Sequence, residues 1–479
     1  MKKAKRVLAV SLATLMAAAS LTACGGGDTK ETQGKETTGG AESTGNTESN
    51  LPEKITDIKL GEDYTDVTAD IKVITHKTDV VDTLFADYIK QFNELYPNIK
   101  ITYEAVTNYA DDMTMRLTTD DWGDICMMPT TVDKADYPSK FVSFGSVADL
   151  ENDYIMLNNN AYDGQSYGIP SMGNVQGVVY NKKVFADAGI TELPKTPEEF
   201  LDALQKIKDN TDAIPMYTNF AAVWTMNAWN AYISGSATGD ADFTNMGLTH
   251  GLNPFQKHDD MTGPYAVYYT LYEAVARGLV EDDPTTTDWE GSKGMINNGE
   301  IGCMVLGSWA ITQMQAGGSH PDDIAYMPFP ITVNGKQYVS AGPDYAYCIN
   351  ANASDDNKLA SMIYIKWLTE KSGFAENQGG ISVVKDAPYP ATLKDMEGIE
   401  LVMDNPAPAG EETLYNDINN ASELGINVAS EPIQAIVEAA LTGSQTLDEI
   451  MTEWNEKWTA AQEENGVTPE EYDYLAATK

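Results

Sequence analysis

Apolar residues along this chain repeat with two periods, and the periods alternate. A short apolar run at 71–74 (IKVI) is followed by Val81, Leu84, Phe85, Tyr88, Ile89, Phe92 and Leu95 at helical spacing, until Pro97 ends the pattern. Ile99, Ile101 and Tyr103 then alternate with polar residues, as one face of a strand does. Strand, helix and strand within about 35 residues predict a βαβ unit and hence a parallel sheet. A second round follows: Ala110, Met113 and Leu117 predict a helix, and 124–128 (DICMM) a buried strand. In such sheets ligands sit beyond the carboxyl ends of the strands. Those ends are His76-Lys77-Thr78-Asp79, Thr107-Asn108-Tyr109 and Pro129-Thr130-Thr131.

Further along, Thr196-Pro197-Glu198-Glu199 combines an N-cap, a first-turn proline and a capping-box glutamate. Phe200, Ala203, Leu204 and Ile207 are the buried stripe of the helix it starts. A strand at 301–307, a helix near 358–370 and a long C-terminal helix follow. That last helix carries Leu447, Ile450, Met451, Trp454, Trp458 and Ala461 on one face, which assigns both tryptophans to the core. There is no internal repeat of solenoid period.

The N-terminus breaks this rhythm. Lys2, Lys3, Lys5 and Arg6 precede an apolar stretch from Val7 to Ala19, too short to span a bilayer comfortably. Leu21-Thr22-Ala23-Cys24 resembles the lipobox of bacterial lipoproteins, which implies cleavage before Cys24 and acylation of that cysteine. Residues 25–50 hold Gly, Thr, Ser, Glu and Asn with no large apolar side chain, so they are expected to stay disordered as a tether.

Charge narrows the partners. The net charge is −41, and loss of the signal lowers it to −45. Nucleic acid and anionic lipid need basic patches, so neither is expected as a partner. Cys126 and Cys303 sit in apolar runs, and no cysteine pair has metal-ligand or C-x-x-C spacing. Neither a metal site, a cofactor nor a disulfide framework is expected.

One stretch raises a catalytic possibility. DGQSYGIP (163–170) matches the G-x-S-x-G pattern, but a nucleophile elbow needs a helix straight after the serine. Here Ile169-Pro170 follow, and proline biases its predecessor toward extended backbone. The stretch predicts a hairpin, with Ser166 as an ordinary turn-and-strand residue.

The order of several motifs is more telling. DGQSYGIP, VVYNKKVFADAGI (178–190) and PKTPEEFLDALQKIK (194–208) are followed by NNGEIGCMVLGSWAI (297–311), YMPFP (326–330), AGPDYAYCIN with its helix and LTEKSG (341–373), and LTGSQTLDEIMTEWNEKW (441–458). Together they resemble the family 1 extracellular solute-binding proteins, which include maltose-binding proteins. The resemblance covers roughly residues 70–465.

It implies an α/β, two-lobed periplasmic-binding-protein fold with mainly parallel sheets. The ligand cleft would lie between lobes joined by three crossovers, near 171–175, 326–328 and 374–381. The expected organisation is a signal peptide at 1–23, lipidated Cys24 with a tether at 24–66, lobe 1 at 67–172 plus 328–375, and lobe 2 at 173–327 plus 376–479.

The implied function is lipid-anchored, extracytoplasmic capture of a neutral sugar or oligosaccharide by a monomer, for delivery to ABC import permease subunits. By position, the implied ligand contacts are Trp309 and Trp224, Asn174, the post-strand residues His76, Lys77 and Asp79, Asn108 and Tyr109, and Asp344 with Tyr345. Trp229 is an alternative to Trp224 if both share a helix. Flat rings suit sugar C–H faces, while carboxylates and amides suit paired hydroxyls. The segment PTTVDKADY after strand DICMM lacks the aromatic-plus-acid pair of maltose-binding members, so maltose is not favoured.

The competing class is a surface-anchored glycan hydrolase. It needs only two facing carboxylates, and 72 acidic residues offer many pairs without any motif that selects one.

Overall fold

The computed structural model describes residues 51–78, 80–107, 109–129, 131–396, 398–426 and 428–478. The expected signal peptide, Cys24 and the tether up to residue 50 lie outside the described residues, as do Asp79 and Asn108. Among the described residues, no helix is long and apolar enough to cross a membrane.

The βαβ expectation is met. Strands β1 (Ala69–Thr75) and β2 (Ile99–Ala105) pair in parallel from Ala69↔Ile99 to Thr75↔Ala105. The helix between them, Ala86–Leu95, is preceded by a π turn at Val81–Phe85 and buries Tyr88 and Phe92. Strand β3 (Ile125–Met127) pairs in parallel with β1. Its flanking helix, Tyr109–Arg116, buries Tyr109 and Met113.

The stretch around Ser166 is the expected hairpin. Strands β5 (Ala161–Tyr162) and β6 (Gln165–Ser166) are antiparallel, with β4 (Gly145–Ser146) on the other side of β6. Asp163 and Gly164 at the tip have φ of 47° and 70°, the left-handed values a tight hairpin turn requires. Ser166 is fully buried, and its Oγ donates to the carbonyl of Gly168 at 3.0 Å.

Strands β7 (Ile169–Pro170) and β13 (Ala346–Ile349) complete the first sheet, in the order β2-β1-β3-β13-β7. This is lobe 1. Its strands come from two distant parts of the chain, and β13 is antiparallel to both β3 and β7.

Lobe 2 is built on β8 (Gly173–Asn181). One edge of β8 pairs with β10 (Ile301–Gly307), which in turn holds β9 (Ile214–Met216). The other edge takes β11 (Ile324–Pro328) and then β12 (Tyr338–Pro343), beside β14 (Glu400–Val402). Alternate residues of β8 and β10 serve opposite cores. Val178, Tyr180, Cys303 and Val305 face one, and Val175, Val179, Met304 and Leu306 face the other. That is why these strands read as continuous apolar runs rather than alternating ones.

Helix starts follow the sequence closely. Thr196 Oγ1 accepts the Glu199 amide at 3.3 Å, although Glu199 turns its carboxylate to the amide of Lys195 rather than closing a capping box. A complete capping box instead opens the helix Leu447–Glu464, between Thr446 and Glu449. On that helix Trp454 and Trp458 are buried against Phe255.

Three expected boundaries move. Ile55 and Ile58 are buried in the lobe 1 core, and the amide of Ile55 donates to Phe144. Residues 51–66 therefore belong to the folded lobe: Leu51, Leu60 and Tyr64 pack against the same core, and the Tyr96 hydroxyl accepts the Gly61 amide and donates to the Asp63 carbonyl. The second crossing is near 343–346, not 326–328. After β11 the chain stays in lobe 2, burying Phe329, Ile331, Val333 and Tyr338 in that core. The third connection is spread over 381–393, extending beyond the expected 374–381: Ile381 and Leu393 pack in a lobe 2 core, while Val383 between them packs in lobe 1. Phe374 and Val383 are in the lobe 1 core, and the amide of Ile155 donates to Val383.

The connecting segments are bonded side by side. Gly173 and Ile381 exchange amide–carbonyl bonds of 2.7 and 2.8 Å, and the amide of Asp344 donates to Met172 at 2.8 Å. A Cβ on Gly173 would sit 2.6 Å from Met156 Sδ, so a larger residue there would displace the Met156 side chain beside the hinge.

Candidate functional site

Two groups of side chains flank the hinge segment 171–175, one from each lobe. On the lobe 1 side, the amide of Ser171 donates to the carbonyl of Tyr345 at 3.0 Å. Tyr345 packs on His76 with ring centroids 4.8 Å apart, and Tyr109 closes a three-ring wall at 5.7 Å from His76 and 5.8 Å from Tyr345. His76 follows β1 directly, so a sheet end positions it, as the parallel topology requires. Tyr109 is buried, and its hydroxyl is committed to β3: it donates to the carbonyl of Met127 at 2.8 Å and accepts that residue's amide at 2.6 Å. It therefore braces His76 and Tyr345 rather than offering a free hydroxyl. Burial pushes the Tyr345 phenol above its usual range, with Asp344 adding to the rise.

Lys77 and Asp344 meet at the same place. Their Nζ and Oδ2 lie 3.7 Å apart, each side chain only 15% exposed. The cation that sequence reading placed near the site is thus neutralised by an acid expected there as well.

On the lobe 2 side, the Ser308 hydroxyl donates to Asn174 Oδ1 at 3.4 Å and accepts the Val175 amide at 3.1 Å. Asn174 is buried, 7% exposed, and engaged by its own lobe. Trp309 follows Ser308 at the end of β10. A Cβ on Gly307 would lie 2.5 Å from Trp309 Nε1, so glycine there lets the indole fold back over the strand end.

Trp309 does not stand alone. Its centroid is 5.5 Å from that of Trp224 and 5.9 Å from that of Trp289, and Trp224 and Trp289 meet at 5.1 Å, nearly perpendicular. Trp224 is 43% exposed, whereas Trp229 is 2% exposed and packs on Tyr232 and Phe329. Of the two alternatives, Trp224 carries the exposed ring.

Trp289 was not anticipated. It opens the helix Trp289–Asn297, which runs away from the site before β10 returns to it. The turn between them reverses the chain, so the strand brings Trp309 back to within 5.9 Å of Trp289. The signal was the pair of tryptophans bracketing that helix–strand unit, with Asp288 capping its start.

The loops that carry Trp224 and Trp289 are stitched together by side chains. Glu281, 7% exposed, accepts the Thr218 amide at 2.9 Å and the Thr218 hydroxyl. Thr287 Oγ1 accepts the Ala221 amide at 2.8 Å, and Tyr217 Oη accepts the Asp288 amide at 2.9 Å. Burial raises the Glu281 carboxyl above its ordinary range, partly opposed by the bonds from Thr218. Just before Trp224, Val223 is held at φ 61°, ψ −64° and is 47% exposed. A β-branched residue in that region is strained, and such strain persists only where the surroundings impose it.

Residues 78–373 match the family model described as bacterial extracellular solute-binding protein. Among solved structures, the chain is similar to a manno-oligosaccharide-specific solute-binding protein from Bifidobacterium animalis subsp. lactis in complex with mannotriose. The identity is 48%, the match covers 87% of this chain and 99% of that one, and the TM-score is 0.82. A second binding protein of an ABC transporter from the same organism, in complex with mannobiose, matches with the same identity, coverage and TM-score. Among curated proteins, the diacetylchitobiose-binding protein of Streptomyces coelicolor is 52% identical over 62 residues, 13% of this chain but only 15% of that protein's length. The multiple sugar-binding protein of Streptococcus mutans is 23% identical over 60% of this chain and 68% of its own. The match over residues 78–373 and the shared two-lobed fold place this chain among the bacterial extracellular solute-binding proteins.

Proposed function

We propose that this protein captures a neutral oligosaccharide, of the manno-oligosaccharide class in preference to maltose, and delivers it to the permease of an ABC importer. The observation that carries the reading is the Trp224–Trp289–Trp309 cluster beside the hinge. Indole faces suit the C–H faces of pyranose rings, and aromatic anchors dominate binding energy where they become desolvated. His76, Lys77, Asp344, Tyr345 and Asn174 supply polar groups around that platform, and Asp79 and Asn108 remain candidates by position alone. The relatives that bind mannotriose and mannobiose support the sugar class.

Neutrality of the ligand follows from charge. Arg116 is engaged by Glu104 at 2.6 Å, and Arg277 by Glu273 and Glu198. Lys77 is paired with Asp344. A carboxylate or phosphate would find no arginine fork at this site and would meet an acidic protein. The protein acts by binding rather than by turnover; Asp344, an acid at the hinge, is tied to Lys77 instead of facing a second carboxylate. Acylation of Cys24 would hold the domain at the outer face of the membrane.

Calorimetry with mannotriose, maltotriose and a uronate trisaccharide tests the reading. Mannotriose should bind, the others more weakly, and the sugar should be recovered intact. Equal or tighter binding of the uronate, or cleavage of the sugar, would overturn it.

A further inference from the structure

Two cysteines that the sequence separates widely are brought face to face in lobe 1. Cys126 on β3 and Cys348 on β13 are direct register partners, 222 positions apart, and their sulfurs lie 3.2 Å from each other. Both are fully buried. The amide of Met128 donates to Ala346 and the amide of Asn350 to Asp124. These bonds flank the pair at the same two-residue interval, which makes Cys126 and Cys348 a hydrogen-bonded pair of an antiparallel ladder. Such pairs have Cα atoms about 5.5 Å apart, inside the window a disulfide accepts. Side-chain rotation needs to close the sulfurs by only about 1.2 Å to reach bonding distance.

We propose that Cys126 and Cys348 form a disulfide in the mature extracellular protein. Extracellular location favours oxidation, where cytosolic thiols would stay reduced. The oxidant is an external disulfide, either a low-molecular-weight one or that of a thiol oxidoreductase. One protein thiolate attacks it, forming a mixed disulfide and releasing one thiol. The second protein thiolate then attacks the mixed disulfide and releases the other. The sum is two protein thiols oxidised to one S–S bond and one external disulfide reduced to two thiols, which take up both protons. Burial pushes the Cys348 thiol up, so exchange occurs while β13 is docking rather than after the lobe has closed.

The alternative pairing is disfavoured by geometry. Cys303 lies in the lobe 2 sheet with its Sγ against the carbonyl of Pro215. The bond would join the two chain segments of lobe 1 across the whole lobe 2 insertion, and loops of that length gain most from closure. Neither cysteine is in a crossing segment, so ligand binding should be the same in both redox forms. The proposal does not depend on which solute is bound.

The test is to unfold and reduce the full chain, refold it in a glutathione redox buffer, block free thiols in denaturant and map the peptides without reduction. The expected result is a cross-linked pair of peptides carrying Cys126 and Cys348, about 2 Da lighter than their sum, with Cys303 blocked. Reductant should also lower the melting midpoint by several degrees, and Cys348→Ser should abolish that shift. Blocked Cys126 and Cys348, a link to Cys303, or a shift that survives in Cys348→Ser would each overturn the proposal. The peptide map decides the question even where the variant fails to fold.

Discussion

The two sides of the hinge are built on different principles. In the lobe 1 wall His76 and Tyr345 flank strand ends, and Tyr109, which opens a helix, is fixed by two bonds to the backbone of β3. In the lobe 2 platform only Trp309 follows a strand end, that of β10, while Trp224 and Trp289 open helices that come straight after loops. Trp224 follows a strained valine, and the loops holding Trp224 and Trp289 are tied through Glu281, Thr287 and Tyr217. One side is rigid because the sheet is rigid. The other is placed by a few side-chain bonds, so it can be loosened without unfolding the lobe, and the two sides should respond to mutation in opposite ways.

The largest effect should come from the platform. Trp309→Ala or Trp224→Ala should cost on the order of 2 kcal/mol or more in mannotriose affinity, as truncation of aromatic anchors does. Trp224→Ala should leave the melting temperature nearly unchanged, because that ring is 43% exposed. Calorimetry and thermal melts on the same samples separate the two quantities. Wild-type affinity in both variants would remove the platform from the site.

Next comes the tie beneath it. Glu281→Ala leaves the buried Thr218 amide without its acceptor, a penalty of about 1–3 kcal/mol. Part of that should appear as roughly tenfold weaker binding, equivalent to ~1.4 kcal/mol. Glu281→Gln keeps an acceptor and should recover most of the affinity. Near-ultraviolet circular dichroism of the ligand-free variants would register the altered packing of the indoles, independently of any sugar.

The lobe 1 wall should behave the other way. Tyr109→Phe removes a hydroxyl that both donates to and accepts from Met127, so stability should fall by about 1–2 kcal/mol. Affinity should change little, because the ring remains. Denaturant melts with calorimetry check this, and a large loss of affinity at unchanged stability would instead make the hydroxyl a ligand contact.

The smallest effect concerns acid. Glu104 accepts from Arg116 and pairs with Lys72, both at 2.6 Å, and the Arg116 guanidinium chiefly holds its carboxyl down to about 2. A depressed carboxylate contributes stability that is full above its unfolded value near 4.5 and lost as pH falls toward 2. Since the side chain is 33% exposed and solvent screens the pair, the contribution should be ~0–1 kcal/mol. Glu104→Gln should flatten the pH dependence of lobe 1 melting over that window, its loss of ~0–1 kcal/mol being greatest at neutral pH and vanishing toward pH 2.

Much of this contrast could be read from sequence on one side and little on the other. The βαβ period, the Thr196 cap and the hairpin at 161–166 follow from local patterning, and so does the approach of His76 to a sheet end. Trp309 was singled out by its position in the GSW motif of the resembling family, not by local patterning. What escaped was pairwise and distant. The neutralisation of Lys77 by Asp344 joins residues from opposite ends of lobe 1. Trp289 reaches the site only because a helix and a strand return to the same point. The second crossing was misplaced because Phe329, Ile331 and Val333 carry apolar signals that fit either lobe's core equally well. Ile55 and Ile58 were lost in the polar approach to β1, where two apolar residues make no period.

The discontinuity of lobe 1 has a consequence for the order in which the protein can be made. Strand β3 has β1 on one side, but its other neighbour, β13, lies more than 200 residues later in the chain. A chain emerging from its N-terminus exposes the edge of β3 throughout the emergence of β8, β9, β10 and β11. Most of the lobe 2 sheet is therefore available to fold first, while the lobe 1 sheet waits with an open edge for residues 346–349. An open edge is where foreign strands add. The interval between the emergence of β3 and that of β13 is thus when this protein is most exposed to misassembly, and it lengthens with anything that slows passage of the lobe 2 segment.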